Sequence, residues 1–446
     1  MYKKITDVIE KNSKLILDTE RYIWNNPETG FREWKTTKYL ADIFENLGYT
    51  LTMADDIPGF YTDIDTGKPG PKILIFGEMD SLICDEHPEA DKVTHAVHSC
   101  GHNAQCGALV GIAAALREEG VIDELCGSVR LCAVPAEEGI EIAFRKELHE
   151  KGVISYYGGK VEFLHRGYFD GVDIAFMIHT NIGEKAIIEK GAVGTLKKAV
   201  RYMGVSAHAG GNPEKGINAL YAATLGLSAI NSLRETFKEV DLVRVHPIIT
   251  NGGAAVNAIP SVVTVESYVR GKTLDVIEHE NKKINRALIG AAISMGAKIE
   301  INDISGYHPL ENDDNLIEVT KDAMEYVMGN DGVVVDMKFN TISTDMGDLS
   351  AIMPVIHPYM PGATGNLHGS DFVIKNPQTA CVDSAKVQLI ILHMLLSNNA
   401  ERANYVVKNK RVQFNSKEEY FERLQQFSRE GECVKYYDNG EILVTV

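Results

Sequence analysis

The sequence predicts an α/β protein whose main domain, built on a mostly parallel central sheet, is interrupted by an inserted ferredoxin-like α+β domain. Three observations predict it. The chain has 446 residues, and single hydrophobic cores stop growing at roughly 250–300 residues, so two domains are expected. Up to about residue 190, helical stretches alternate with short β-rich runs at 72–80 (KILIFGEMD), 129–138 (VRLCAVPAEE) and 173–180 (DIAFMIHT), the order that builds a parallel sheet with helical crossovers. Residues 191–306 then read strand, helix, strand, strand, long helix, strand, which is the ferredoxin-like order. The main domain therefore comprises 1–190 and 307–398, the insert 191–306, and a charged extension fills 399–446 without a pattern that assigns it to either domain. Between the first two strands, GHNAQCGALVGIAAALREEG reads as a buried helix, rich in Ala and Leu and stopped by Gly120.

Composition narrows the function classes. With 44% hydrophobic and 24% charged residues, the chain reads as an ordinary globular protein rather than a disordered or fibrous one. A formal net charge of -17 repels a phosphate backbone, and no basic stripe with interleaved aromatics offsets it, so nucleic acid is not an expected partner. No uninterrupted apolar run approaches the roughly 20 residues that span a bilayer, so no membrane partner is expected. The N-terminal stretch has no apolar h-region or small-residue cleavage site, which points to a cytoplasmic protein. The seven cysteines (84, 100, 106, 126, 132, 381 and 433) show no CxxC pairing or disulfide-framework spacing, as expected of reduced thiols.

Chemistry-bearing residues gather at successive strand ends. In open α/β sheets, ligands collect beyond the carboxyl ends of the strands. The first strand ends at Glu78 and Asp80, the second at Glu137 and Glu138, and the third at His179; Cys100 and His102 sit in HSCGHNAQ just ahead of a helix N-terminus, whose dipole favours a thiolate. Each residue alone has an ordinary structural explanation. Their coincidence at one rim favours a metal site, because Cys and His suit zinc and other borderline transition metals and a carboxylate completes or bridges the shell.

These residues, with WNNPETGFREWKT, GEMDSL, HSCGHN, PAEEG, SAHAG, NAIP and NLHGSDF in this order over roughly residues 15–396, resemble the co-catalytic metallohydrolases that include aminoacylases, bacterial glutamate carboxypeptidase, hippurate hydrolase and plant auxin-conjugate amidohydrolases. The CGH segment is similar to the amidohydrolase branch. The resemblance implies two divalent metal ions, zinc or manganese with nickel or cobalt as alternatives, held by Cys100, His102, Glu138, His179 and His368. It makes Glu137 the general base for a metal-activated water, a role that needs a carboxylate within hydrogen-bond reach. It makes Asp80 the acid that orients a ligand, and His208 in SAHAG the histidine that reaches across a dimer interface to polarise the scissile carbonyl. Asn257 and Arg270 match substrate-contacting positions, an Arg fork suiting a carboxylate. Gly362, Gly365 and Gly369 would let the backbone around His368 approach the metals. The inserted domain would serve as lid and homodimer interface, and the substrate would be a small N-acyl amino acid, an aminobenzoyl-glutamate-like conjugate or a dipeptide.

The chain departs from the branch in three places. Asn103 stands where Asp is usual after CGH, similar to aminobenzoyl-glutamate hydrolase and dipeptidase-like members. Gln105 stands where many members carry His. The interval from Glu138 to His179 is long, so EKGVISYYGGKVEFLHRGYFDG is expected to add a loop or helix near the site, with His149 and His165 at the surface. Two other readings compete. A catalytically silent metal- or ligand-binding protein would not be expected to retain Glu137 beside a full donor set. In a cysteine-nucleophile hydrolase using Cys100 with His102, the i, i+2 spacing and the flanking carboxylates would be left unexplained.

Overall fold

The structure, a computed structural model, describes residues 1–445, and the chain divides into two compact units. The first comprises Met1–Gly191, Glu311–Lys338 and Asp348–Lys417; the second comprises Ala192–Leu310, Phe339–Gly347 and Glu418–Val446.

In the first unit a six-stranded sheet runs in the spatial order Thr52–Met53, Phe60–Asp65, Ser128–Val134, Lys72–Glu78, Ile174–Phe176, Val355–Ile356. The last four strands in this order pair in parallel, and Phe60–Asp65 pairs antiparallel with both Ser128–Val134 and the edge strand Thr52–Met53. The central strand carries Ile73, Leu74, Ile75 and Phe76, all essentially inaccessible, the near-continuous apolar run required of a strand covered on both faces. Its register sets Glu78 opposite Val134, so the two chains leave the sheet side by side, one into Met79–Asp80 and the other into Pro135–Glu138. Ala136, at φ 57°, turns the second chain sharply as it exits. The helix His102–Leu116 is buried along its whole length, and at its contact with the sheet a Cβ on Gly77 would stand 3.2 Å from Leu109 and 3.3 Å from Cys106. The apolar composition of GHNAQCGALVGIAAAL is thus the signature of a core helix contacted on every side.

The third β-run is two strands rather than one. Ile174–Phe176 belongs to the main sheet, whereas His179–Ile182 pairs in parallel with Tyr359–Thr364 in a second sheet, His179 opposite Tyr359. The segment after Glu138 forms two helices, Ile142–Glu150 and Gly159–His165, with His149 and His165 exposed. One helical stretch, Gln378–Lys408, is long and apolar enough by length and composition to cross a membrane, contrary to the expectation that no run approaches that length. It is mostly buried within the protein, as a core helix is, and non-helical backbone at Ser397–Ala400 kinks it.

The second unit carries an antiparallel sheet in the order Arg244–Val245, Val262–Gly271, Gly194–Met203, Lys298–Ser305, with Ile248–Asn251 also pairing Val262–Gly271. Helices Ala219–Leu233 and Leu274–Ser294 complete the ferredoxin-like order. Part of the C-terminal extension belongs here. Arg429 and Glu432 bridge to Asp303 and Glu300 on the edge strand Lys298–Ser305, the hydroxyl of Tyr436 donates to the Ala297 carbonyl, and Val434–Tyr436 pairs with Ile442–Val444 as a hairpin. An edge strand left open is a template for unwanted pairing, and these segments cover it. The preceding residues, to Lys417, stay with the first unit, and the core helix Ser384–Lys408 runs past residue 398, so residues 399–446 are not one separate extension.

Beneath that edge lies a buried polar network. Lys198 donates to Asp303 and to Oδ1 of Asn285 at 2.6 Å, while Oδ2 of Asp303 accepts from Asn281 at 2.7 Å and Asn285 at 3.0 Å. Removing one partner of a buried pair leaves a charge without compensation, at a cost of about 3–5 kcal/mol. Asp303→Ala should therefore lower the denaturant midpoint markedly, and an unchanged midpoint would show that water reaches Lys198.

Candidate metal centre

The strand ends and the start of the buried helix converge on one cluster of donors in the first unit. Cys100 enters it from the loop before the helix, where Gly101 at φ 85° makes the tight turn into His102. Sγ of Cys100 lies 3.3 Å from Nε2 of His179. Nε2 of His368 lies 3.3 Å from Oε1 of Glu138. Two donor triads result, Cys100, His102, His179 and Cys100, Glu138, His368, each with its ligand atoms within 4.8 Å of one another. Cys100 is common to both. A third cluster joins His102 to Glu78 and Glu137.

Asp80 organises the centre. Its backbone carbonyl and Oδ1 take Nδ1 of His102 at 2.9 and 3.2 Å, and its Oδ2 accepts the Glu138 backbone N–H at 2.8 Å. Nδ1 of His102 therefore carries hydrogen, which leaves Nε2 as the atom that would ligate a cation in place of its proton. Nδ1 of His179 is likewise within 2.7 Å of the Thr180 carbonyl. His368 sits at φ 62° with its N–H bonded to the Ser99 carbonyl, on a loop closed by Asn366 and Asp371. Gly365 is required in that loop, because it lies at φ 92° and a Cβ would come within 2.1 Å of the Asp371 carbonyl oxygen. The glycines near His368 thus serve tight contacts of the chain with itself. Glu137 is 7% exposed and Glu138 8%.

The donors fit divalent cations. Nε2 of His102 and Oε1 of Glu138 are buried, with Glu78 at 3.2 Å beside the first and His368 at 3.3 Å beside the second, a cluster of donors that a cation would draw together. Thiol, imidazole and carboxylate donors at these separations suit a borderline transition metal. Without a cation, burial drives the Cys100 thiol well above its ordinary range, and Glu138 adds to the effect. That disfavours a free thiolate nucleophile, whereas a bound metal deprotonates a coordinating thiol. Burial also opposes ionisation of Glu138, but the hydrogen bond and charge of His368, then His102, outweigh it and bring the carboxyl to about 2. Burial opposes the charged form of His102 too, yet neighbouring Cys100 and Glu78 raise it well above the usual range.

The remaining sequence-predicted residues lie in the second unit. The loop His208–Ala209 pairs with Asn257–Ala258, the Ala209 N–H donating to the Asn257 carbonyl at 2.9 Å, so SAHAG and NAIP are neighbours. Nδ1 of exposed His208 accepts N–H groups from Gly210 and Gly211 at 3.1 and 2.8 Å, which leaves hydrogen on Nε2. Arg270 donates to the Thr341 carbonyl at 3.0 Å and stacks on Tyr268 at 4.5 Å. Its guanidinium thus already has partners within the unit.

Three buried groups escaped the sequence reading. Oε1 of Glu33 accepts the Ala136 N–H at 2.8 Å, Arg145 binds the Glu138 carbonyl, and Lys160 binds Glu78. Only Glu33 lies in a quoted motif, WNNPETGFREWKT; the other two belong to the long 138–179 interval, whose partners a linear reading does not reveal. The departures are satisfied locally: Asn103 donates to Glu20 at 2.7 Å and Gln105 to Glu78 at 2.8 Å.

Behind the donors, His98 and His357 are fully buried, and burial pulls both to about 3. Below about pH 6.5 each binds a proton when unfolded but not when folded, so the unfolded state is favoured as pH falls toward about 3, by up to about 1.4 kcal/mol per pH unit per histidine. The metal-free protein should lose urea stability between about pH 7 and about pH 5, and His357→Gln should flatten that slope. Parallel slopes in the two proteins would exclude His357 as a contributor.

The profile of peptidase family M20/M25/M40 matches residues 74–384. The Xaa-Arg dipeptidase of Homo sapiens is 28% identical over 79% of this chain and 78% of its own length. One subunit of the p-aminobenzoyl-glutamate hydrolase of Escherichia coli is 28% identical over 67% of this chain, a match spanning 60% of that protein. A solved structure of a dinuclear metal-binding M20 peptidase from Bacillus subtilis superposes with a TM-score of 0.65 at 20% identity, covering 87% of this chain and 99% of that one. The chain belongs to peptidase family M20/M25/M40.

Proposed function

We propose that the protein hydrolyses the amide bond of a small N-acyl amino acid, an aminobenzoyl-glutamate-like conjugate or a dipeptide, using a metal-activated water. The observation that carries this reading is the pair of donor triads sharing Cys100, with Glu137 buried beside them. Divalent ions held by Cys100, His102, His179, Glu138 and His368 would supply Lewis acidity, lowering the pKa of water and polarising the carbonyl. Zinc or manganese suits this mixture of thiolate, imidazole and carboxylate.

Glu137 takes the proton from the attacking water and delivers it to the departing amine, so the carboxylate ends the cycle as it began. Asp80 fixes His102 and the Glu138 backbone and so holds two donors in place. His208, reaching across a dimer interface as the family resemblance implies, supplies the additional donor to the developing oxyanion; support comes from its Nδ1, occupied by two N–H groups, which leaves Nε2–H to donate. Asn257, its neighbour in the second unit, belongs with it on the substrate side. A homodimer through the second unit and a cytoplasmic location accord with the family resemblance and with the reduced thiols.

The substrate class leans toward dipeptides and aminobenzoyl-glutamate conjugates, because relatives named for those activities align over most of this chain. Metal-stripped protein should show no turnover on a panel of dipeptides, N-acyl amino acids and aminobenzoyl-glutamate, and regain it with added zinc or manganese. Glu137→Ala should keep its metal content but lose about 10²–10⁴-fold in kcat. If the mutant retained wild-type kcat, Glu137 would not be the base; if the metal-filled protein cleaved nothing on the panel, the substrate class would be wrong.

A further inference from the structure

Lys160 brings a charged ammonium into the interior of the first unit. It is 0% exposed, on the helix Gly159–His165, and donates to Oε1 of Glu78, which is 1% exposed. The ring of Phe76 lies 5.8 Å from its Nζ. Taking two such charges out of water costs several kcal/mol per ion, and hydrophobic residues of similar volume often serve stability as well or better. A pair of this kind is therefore weakly motivated by stability alone, and what its carboxylate touches becomes the telling observation.

The second oxygen of Glu78 faces the metal centre. Oε2 accepts from Nε2 of Gln105 at 2.8 Å and stands 3.2 Å from Nε2 of His102, the atom read as the metal ligand. The Glu78 N–H is returned to Oε1 of Gln105 at 3.2 Å. With Lys160 on one oxygen and Gln105 on the other, the carboxylate plane has no freedom to swing. His102 is thus bracketed, by Asp80 at Nδ1 and by Glu78 at the edge of Nε2. Glu78 and Glu137 also offer oxygens within 4.8 Å of each other and of His102. Two carboxylates so close repel in a low-dielectric interior, and the Lys160 ammonium offsets that charge.

We propose that Lys160 is a positioning residue of the metal centre, acting through Glu78 to hold the carboxylate against the ligand edge of His102. It rests on the reading of His102 as a metal ligand. The long 138–179 interval then contributes more than bulk, since it contains the helix that delivers this ammonium.

The test is metal affinity, measured by zinc competition against a chromophoric chelator, together with the visible absorption of the cobalt-substituted protein. Four full-length proteins are compared: parent, Lys160→Met, Glu78→Gln, and the double variant. Lys160→Met should weaken zinc binding by about 10–100-fold, the range for residues supporting a ligand, and shift the cobalt bands. Because the effect passes through Glu78, adding Lys160→Met to Glu78→Gln should change affinity by less than about twofold. Parent-like affinity and an unchanged cobalt spectrum in folded Lys160→Met would overturn the proposal, as would an equal loss in both backgrounds. If Lys160→Met fails to fold, Lys160→Gln, which removes the cation and shortens the reach to Glu78 while keeping a polar side chain, decides: zinc binding at least about tenfold weaker than the parent supports the proposal, and parent-like binding overturns it. If neither folds, the pair serves the fold and the proposal fails. A parent protein that binds no zinc would instead sink the ligand reading on which it rests.

Discussion

The centre depends on one buried carboxylate. Asp80 is wholly inaccessible, and its two oxygens hold the imidazole of His102 and the backbone of Glu138, groups delivered by different parts of the chain. This works only because the parallel register sets Glu78 opposite Val134, so that the two exiting loops run together. A slip of that register would carry Asp80 away from Glu138 and reverse which faces of the strand are presented. The apolar strand and the buried helix are thus the precondition of the polar chemistry at their ends.

Around Asp80 the protein assembles groups that would be unfavourable in isolation. Nε2 of His102 and Oε1 of Glu138 stand buried near the Cys100 sulfur, beside Glu78 and His368 respectively, an arrangement of donors to which a cation is suited. Burial then acts in two ways. It discourages a free thiolate on Cys100, and it strengthens every interaction the donors would make with a divalent ion. Supporting residues set ring orientation and local charge: Thr180 on His179, Asp80 on His102, Lys160 and Gln105 on Glu78.

The second unit follows a different logic. Its antiparallel sheet and two helices form a self-contained ferredoxin-like body, stiffened by the buried Lys198–Asp303 network and edged by the C-terminal segments. Within it, SAHAG and NAIP are drawn together by backbone pairing between His208 and Ala258. Two motifs separated by about fifty residues in the chain become one surface feature, through hydrogen bonds that carry no sequence signature of their own.

Element order and the ferredoxin-like insert were legible in the sequence, because periodicity is a local property; strand-end position drew attention to Glu138 and His179 and to Cys100 and His102 beside them, whereas His368 entered through the family resemblance. The single strand read over 173–180 proved to be two, since a short apolar run does not disclose the sheet to which it pairs. The extension after residue 398 was opaque for a related reason: its partners, Glu300 and Asp303, lie more than a hundred residues earlier. Only the tertiary structure decided that Cys100 is shared between two triads and that Lys160 meets Glu78 across 82 positions. Both are contacts between distant segments, fixed by how strands and helices pack, and a linear pattern holds no record of which buried charge will face which.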